Sequence, residues 1–304
     1  MATERLLSNK IHKGPTIRRS HLPFVLPAMA IMIILVAIPL ISLIVLSFTN
    51  YELAMLPENI RWIGFRNYDR IFFSETTLLW HSLGISLGMT VVATLIQLVL
   101  GFICASLLNQ HIKLKPLAIA CLLVPVAMTP SIASQIWSLM FNAEFGIINY
   151  LLNSLFGFTV VWLGPDFAML SVLIATVWIM TPFVTLILYA GLRSLPLEPY
   201  ESAKMDGANA RQILFSITLP LLKPLILLTI LFRSIDVMRM FDLPYVLTQG
   251  GPGHTTEFIG LHIFRVGFSV NRSVGRASAI SVVLILIICA ISLVLIRMMN
   301  RRED

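Results

Sequence analysis

The chain has 304 residues, of which 57% are hydrophobic and only 12% charged. A soluble domain is typically about 25% charged, and this apolar excess cannot be hidden in one water-soluble core of this length. The net charge of +7 does not indicate nucleic-acid binding, because the basic residues collect in short stretches beside the apolar runs. Composition therefore favours a membrane protein, with lipid and not nucleic acid as its surroundings.

The apolar residues form six runs, each long enough to cross a bilayer as a helix. They predict an all-α integral membrane protein with spans at about 23–48, 82–108, 115–140, 168–190, 221–246 and 277–298. Residues 1–22 are interpreted as a polar, basic N-terminal tail, and residues 23–304 as the six-helix domain. The first run is too long for the core of a signal peptide and lacks a clean small-residue cleavage site, so we expect it to remain as a span.

The distribution of Lys and Arg predicts the orientation of the chain. With the N-terminus inside, fourteen Lys and Arg residues lie in inside segments and six in outside loops. The positive-inside bias then places both termini and the charged 191–220 loop in the cytoplasm.

No catalytic or metal-binding pattern stands out. The three cysteines, Cys104, Cys121 and Cys289, lie inside apolar runs and make no spaced pair. The six histidines show no metal-ligand spacing, and no phosphate-binding loop of the form GxxxxGK[ST] is present. We therefore expect this chain to hold no catalytic residue, metal or cofactor of its own, so that any ATP hydrolysis would belong to another chain.

The cytoplasmic segment from Ser194 to Pro220 predicts two short helices at an angle. Ser194 is a candidate cap for the first helix, and Gly207 supplies the backbone freedom for its end. Asn209 and Gln212 have the spacing of a capping box for the second, and Pro220 would begin the next span. Such an elbow suits a groove in a partner, although an ordinary amphipathic loop is the plainer alternative.

This loop also carries a family resemblance. Glu201-Ser202-Ala203, Gly207 and Ile217-Thr218-Leu219-Pro220 resemble the EAA signature of bacterial binding-protein-dependent ABC permeases, with Ser202 where the family has alanine. The resemblance implies that the loop is a coupling helix that docks onto an ATPase subunit. The residues implied in this coupling are Glu201, Ser202, Ala203, Asp206, Gly207, Ile217, Leu219 and Pro220.

Further motifs resemble the carbohydrate permeases of the maltose, glycerol-phosphate and trehalose type. They are the stretch 232–252, the set Pro125, Trp137, Gly146 and Asn149, and Trp178 with Pro182-Phe183. The resemblance implies one half of a heterodimeric pathway in the bacterial inner membrane for a sugar or sugar derivative. It also implies a second permease, a pair of ATPase subunits that bind ATP and Mg, and an extracytoplasmic binding protein.

Three other functions remain open at this point. A secondary transporter would need no partner, and it would typically show internal repeats, of which we find none convincing. A channel or structural assembly factor is disfavoured because no ring-forming selectivity motif is present. An ABC permease for amino acids or other polar solutes is the alternative within the family.

Four charged residues recur at intervals of three in the fifth predicted span: Arg233, Asp236, Arg239 and Asp242. Charges at membrane depth normally face a water-filled cavity or pair with one another. They predict either a polar wall along the solute path or Arg–Asp pairs that only hold helices together. The family resemblance implies solute-path positions at Thr176, Ile179, Met180, Phe183, Arg233 and Val237, to which we add Asp236 and Arg239 as candidates.

Overall fold

The computed structural model describes residues 22–74, 78–110, 113–270 and 272–300. They fall into two compact units, one ending at Val45 and one beginning at Leu46. The described residues contain no β-strand, only an isolated antiparallel bridge between Thr49 and Trp62. The all-α prediction is therefore confirmed.

The described secondary structure consists of helices joined by short loops. In chain order the α-helices are α1 (Leu22–Ser47), α2 (Arg66–Phe73), α3 (Leu79–Asn109), α4 (Lys115–Ala127), α5 (Pro130–Met140), α6 (Ile147–Phe156), α7 (Ala168–Ser194), α8 (Glu198–Met205), α9 (Ala210–Ile213), α10 (Leu219–Met238), α11 (Asp242–Leu247), α12 (Ile259–Phe264) and α13 (Val274–Asn300). A short 3₁₀ helix spans Pro57–Asn59, and wide π-helical turns span Leu214–Thr218 and Arg265–Ser269.

Five described helices are long and apolar enough to cross a membrane: α1, α3, α7, α13 and the helical run Ala210–Met238. The bent pair of α4 and α5 gives a sixth candidate when it is counted as one span. Six spans were predicted, and each predicted range overlaps one of these candidates. In hydrocarbon an α-helix is favoured because it satisfies all its backbone hydrogen bonds within the segment.

The third span is not the continuous helix that the sequence predicted over 115–140. α4 and α5 meet at an angle of 98°, and Met128 and Thr129 form the break. Pro130 explains it, because a proline ring disfavours helical geometry in the residue before it. Thr129 is accordingly extended, and its Oγ1 caps α5 by accepting a hydrogen bond from the Ile132 backbone N–H.

The fifth span also ends earlier than the predicted 221–246. It ends at Met238, and residues 242–247 form the separate helix α11. Pro244 accounts for the break, because a continued helix would drive the proline ring into the carbonyl of Met240 and lose a hydrogen bond. That carbonyl packs against Gly260 instead, where an added Cβ would lie only 2.7 Å from the Met240 oxygen.

α3 and α7 form the most extensive helix contact in the described chain. Gly101 allows the close approach, since an added Cβ there would lie 2.7 Å from Cγ1 of Val184. A buried hydrophobic cluster, which includes Trp137 and Phe141, joins α3, α5, α7, α10 and α11. The packing brings α3, α7 and α10 together. The polar residues of the spans that are described below lie on these three helices.

The loop between α11 and α12 is braced around a buried carboxylate, Glu257, which is 1% exposed. Arg265 Nη1 donates to Glu257 Oε2 at 2.7 Å, and His262 Nδ1 lies 2.9 Å from Oε1. His254 also contacts the carboxylate, and Arg265 donates to the backbone carbonyl of Gln249. Burial alone would raise the pKa of Glu257, but hydrogen bonds from His262 and His254 and the charge of Arg265 lower it from 4.5 to about 2.

A carboxylate whose pKa is lower in the folded state stabilises the fold above its unfolded pKa. We expect Glu257→Gln to lower stability by about 3 kcal/mol near pH 7, since it removes one partner of a buried charge cluster. The difference from wild type should shrink as the pH falls from about 4.5 towards about 2, the interval between the two pKa values. Thermal unfolding of the detergent-solubilised protein between pH 7 and pH 3 measures this.

Asp166→Asn, at an exposed acid, is the control and should leave the unfolding temperature unchanged. A difference between wild type and Glu257→Gln that stays constant down to pH 3 would contradict the role of the Glu257 charge.

Candidate functional site

The predicted elbow is present and is capped on both sides of Gly207. α8 carries Glu198 and Glu201 in its first turn, where the positive end of the helix dipole favours them. Gly207 adopts φ +76°, and the backbone N–H groups of Gly207 and Ala208 donate to the carbonyls of Lys204 and Ala203. This pair of bonds is a Schellman motif, and it fixes the end of α8.

On the far side of Gly207 the predicted capping box is found. Asn209 Oδ1 accepts from the Gln212 backbone N–H at 2.9 Å, and Gln212 Oε1 accepts from the Asn209 N–H at 2.8 Å. The sequence predicted a short second helix, with the next span beginning at Pro220. In the structure the second helix instead runs on into the span. The run Ala210–Met238 continues through the wide turn Leu214–Thr218, so the elbow and the fifth span share one helix.

The predicted role of Ser194 is wrong. α7 extends to Ser194, whose Oγ donates back to the Gly191 carbonyl at 2.8 Å. α8 begins instead at Glu198, with Pro199 in its first turn and no side-chain cap. The apolar run of α7 simply continues in register through Leu192, which outweighs the local preference of Ser194 for a cap.

The predicted coupling residues divide into two groups by exposure. Glu201, Ser202, Asp206 and Gly207 are exposed, and Ala203 is half-buried. Ile217, Leu219 and Pro220 are half-buried at the start of the span. Tyr200 Oη donates to Thr218 Oγ1 at 3.1 Å, which ties α8 to that start.

Sequence reasoning missed the apolar part of the elbow. Leu197, Met205 and Phe215 are 72%, 83% and 59% exposed. Exposed apolar side chains grouped beside polar ones are typical of an interaction surface. Their signal in the sequence was the presence of large apolar residues in an otherwise polar loop.

A cavity of about 420 Å³ lies where α7, α10 and the two breaks in the spans meet. It is lined by seven of the eight predicted solute-path residues: Thr176, Ile179, Met180, Arg233, Asp236, Val237 and Arg239. The eighth, Phe183, is half-buried and is not part of the lining. Pro130, Met240, Phe241, Asp242 and Leu243 complete the wall.

Three of the four charged residues in this wall form one network around Asp236. Arg233 Nη1 donates to Asp236 Oδ2 at 3.2 Å, and Arg239 Nη2 donates to Oδ1 at 2.9 Å. Asp242 takes no part in it and instead accepts from Ser131 Oγ at 3.3 Å. The charges thus pair with one another at i,i+3 spacing and also line a cavity, and the solute-path role stays a prediction.

Gln97 is a further member of the network that the sequence analysis did not select. It is completely buried in α3, and its Oε1 accepts from Arg233 Nε at 2.9 Å. Its Nε2 donates to the Thr176 carbonyl of α7, also at 2.9 Å. The available signal was a long amide side chain inside an apolar span, a position where polar residues are costly.

Among the described residues, Asp236 is the carboxylate bonded to the buried guanidinium of Arg233. We expect Asp236→Asn to lower stability by about 2 to 3 kcal/mol, because a buried charge then loses its counter-charge. Asp242→Asn makes the same chemical change in the same cavity but affects only the bond from Ser131, and it should cost less than about 1 kcal/mol. Thermal unfolding of the two purified variants checks this, and equal losses would contradict it.

Comparison with known proteins agrees with this architecture. The family described as "Binding-protein-dependent transport system inner membrane component" matches residues 97–303. A probable ABC transporter permease protein of Sinorhizobium fredii is 37% identical over 273 residues, covering 90% of this chain and 87% of that protein. The trehalose/maltose transport system permease protein MalF of Thermococcus litoralis is 34% identical, covering 92% of this chain and 93% of that protein.

A solved structure shares the fold. It is one chain of a bacterial alginate ABC transporter in complex with an alginate pentasaccharide-bound periplasmic protein. The likeness has a TM-score of 0.78 at 22% identity and covers 92% of this chain and 93% of that one. The family match and the two relatives together establish that this chain belongs to the binding-protein-dependent transport system inner membrane components, the permease subunits of ABC importers.

Proposed function

We propose that this chain is one permease subunit of an ATP-driven importer for a sugar or sugar derivative delivered by an extracytoplasmic binding protein. The observation that carries the proposal is the continuous helical run Ala210–Met238. One of its ends forms half of the exposed elbow, and the other carries Arg233 and Asp236 into the wall of the cavity. At about 1.5 Å per residue the run is about 40 Å long, so it connects the two sites directly.

The elbow is proposed to dock onto an ATPase subunit. Glu201, Ser202, Ala203, Asp206 and Gly207 supply the polar surface on α8, and Leu197, Met205 and Phe215 supply exposed apolar contacts beside it. Ile217, Leu219 and Pro220 act less directly, because they fix the angle at which the elbow joins the span. ATP and Mg would be bound by the ATPase pair, and this chain would be a non-catalytic subunit without a cofactor of its own.

The carbohydrate substrate is inferred from the cavity together with the relatives. The wall combines carboxylate and guanidinium groups with Phe241 and Met240, a mixture that offers hydrogen-bond partners to hydroxyls and an apolar surface to a sugar ring. MalF of Thermococcus litoralis belongs to a trehalose/maltose transport system, and another relative, from Agrobacterium fabrum, to a sulfoquinovosyl glycerol transport system. The cavity residues Thr176, Ile179, Met180, Asp236, Val237 and Arg239 are the proposed solute path.

The proposed assembly contains a second permease, two ATPase subunits and the binding protein. Both termini and the 191–220 loop would face the cytoplasm, with residues 1–22 as the N-terminal tail. In this mechanism ATP closes the ATPase pair, the elbows move with it, and the membrane halves rock between inward- and outward-facing states. Rigid-body rotation about an interface is a common form of such a switch, and the continuous 210–238 run joins the elbow to the cavity wall.

The elbow is tested by substitutions that leave the spans intact. Glu201→Lys reverses an exposed charge on the proposed docking surface, and Gly207→Val places a β-branched residue at φ +76°. Both should reduce ATP-dependent uptake at least tenfold while the protein still inserts into the membrane. Gly207→Asn is the matched control, because asparagine tolerates left-handed geometry, and it should retain most uptake.

Membrane insertion is measured by the amount of tagged protein in the washed membrane fraction, and uptake by radiolabelled sugar in cells. Normal uptake by both Glu201→Lys and Gly207→Val would remove the elbow from the mechanism.

The assembly itself is tested by affinity purification of the tagged chain from its native membrane in mild detergent, followed by mass spectrometry. We expect an ATPase subunit and a second permease to co-purify. Recovery of the chain alone, or with itself only, in several mild detergents would instead favour a secondary transporter.

A further inference from the structure

Gln97 joins three helices at one point. Its side chain lies in α3, its amide nitrogen bonds the backbone of α7 at Thr176, and its amide oxygen bonds the guanidinium of Arg233 in α10. An amide is suited to this position because it offers a donor and an acceptor on the same rigid group. A carboxylate at this position would lack the donor, and an apolar residue would lack both groups.

The network gives Arg233 and Asp236 different parts in the cavity. Arg233 is 2% exposed and directs two of its nitrogens at Gln97 and Asp236, so little of it is available to a solute. The Asp236 side chain is 36% exposed and the Arg239 side chain is 68% exposed. The exposed groups of the network are therefore Asp236 and Arg239, with Arg233 behind them.

Asp236 has the chemistry to meet a hydroxyl-bearing solute. A carboxylate oxygen accepts strong hydrogen bonds from hydroxyl groups, and each oxygen keeps a lone pair after accepting one bond from an arginine. The direction of those lone pairs depends on the two planar guanidinium groups that bond the carboxylate, those of Arg239 and Arg233. Arg239 is exposed, whereas the guanidinium of Arg233 is buried and so can be held in place by its surroundings. Gln97 holds that guanidinium through Nε, the nitrogen nearest the flexible stem.

We propose that Gln97 is a positioning residue of the solute path, which fixes Arg233 and through it the Asp236 carboxylate that meets the hydroxyls of the solute. This inference rests on the proposed function, since it assumes that a sugar-type solute passes the cavity. It also assigns to Arg233 an indirect part, whereas the family resemblance implied a contact position.

The test uses the complete complex, with its binding protein and ATPase subunits, in proteoliposomes. The probe is the radiolabelled sugar that the wild-type complex takes up fastest among maltose, trehalose and sulfoquinovosyl glycerol, which appear in the names of two relatives' transport systems. Gln97→Met keeps the size of the side chain and removes both hydrogen bonds. We expect the KM for the sugar to rise about tenfold, the effect of losing one hydrogen bond to a charged group, with less than a twofold change in maximal rate.

Thr94→Val is the matched control on the same helix. Thr94 is buried, and its hydroxyl has no hydrogen-bond partner in the part of the chain that the structure describes. It should therefore show wild-type KM and maximal rate. In Arg233→Lys the side chain cannot bond both Gln97 and Asp236, and KM should rise by a similar factor. The double variant Arg233→Lys with Gln97→Met should show no further rise in KM, because the two residues act in one chain of contacts.

A wild-type KM for Gln97→Met would overturn the inference, as would a loss of uptake that is fully explained by less assembled complex. Cryo-electron microscopy of the wild type, Gln97→Met and Thr94→Val gives a second measurement that needs no solute. The Asp236 carboxylate should be displaced in Gln97→Met only. If the wild-type complex takes up none of the three sugars, the sugar proposal fails, and the position of Asp236 in these structures alone decides whether Gln97 positions it.

Discussion

The fold depends on one constraint, that a backbone N–H or C=O group inside hydrocarbon must find its partner within the protein. α3 and α13 contain no proline and meet it as continuous helices. Two prolines stand at breaks in the spans. Thr129 caps the helix that begins at Pro130, and before Pro244 the carbonyl of Met240 approaches Gly260 so closely that an added Cβ would not fit. Both interruptions border the same cavity, through Pro130 and through Asp242. The cavity thus exists because two spans are broken beside each other.

The helical run Ala210–Met238 connects this cavity to the surface. Its first turn is held by the capping box of Asn209 and Gln212, and its junction with α8 by the bond from Tyr200 to Thr218. A wide turn at Leu214–Thr218 lies between the elbow and the long apolar part, and such turns are frequent at functional sites. In the proposed mechanism, any displacement of the elbow is carried by this run to Arg233 and Asp236.

In the part of the chain that the structure describes, two charged residues, Arg233 and Glu257, are almost completely buried, and they are neutralised in different ways. Arg233 is balanced by a single carboxylate, Asp236, and fixed by the neutral amide of Gln97. Glu257 is surrounded by His254, His262 and Arg265, and together they brace the loop that follows α11. A buried charge is tolerated when it is paired and fully hydrogen-bonded. The first network borders the cavity, whereas the second stabilises a loop.

The sequence by itself determined the all-α class, the approximate spans, the elbow around Gly207 and most of the cavity-lining residues. These properties follow from local patterns: apolar run length, the spacing of capping residues, and motifs that resemble a known family. Tertiary structure decided the rest. The 98° break before Pro130 and the end of the fifth span at Met238 are outcomes that the prolines permit but do not by themselves select. The hydrogen bond from Arg233 to Gln97 joins residues that are far apart in the sequence. A proline in a membrane helix can kink it or end it, and a buried amide can bond any neighbour, so only the packing of α3, α7 and α10 selects one outcome.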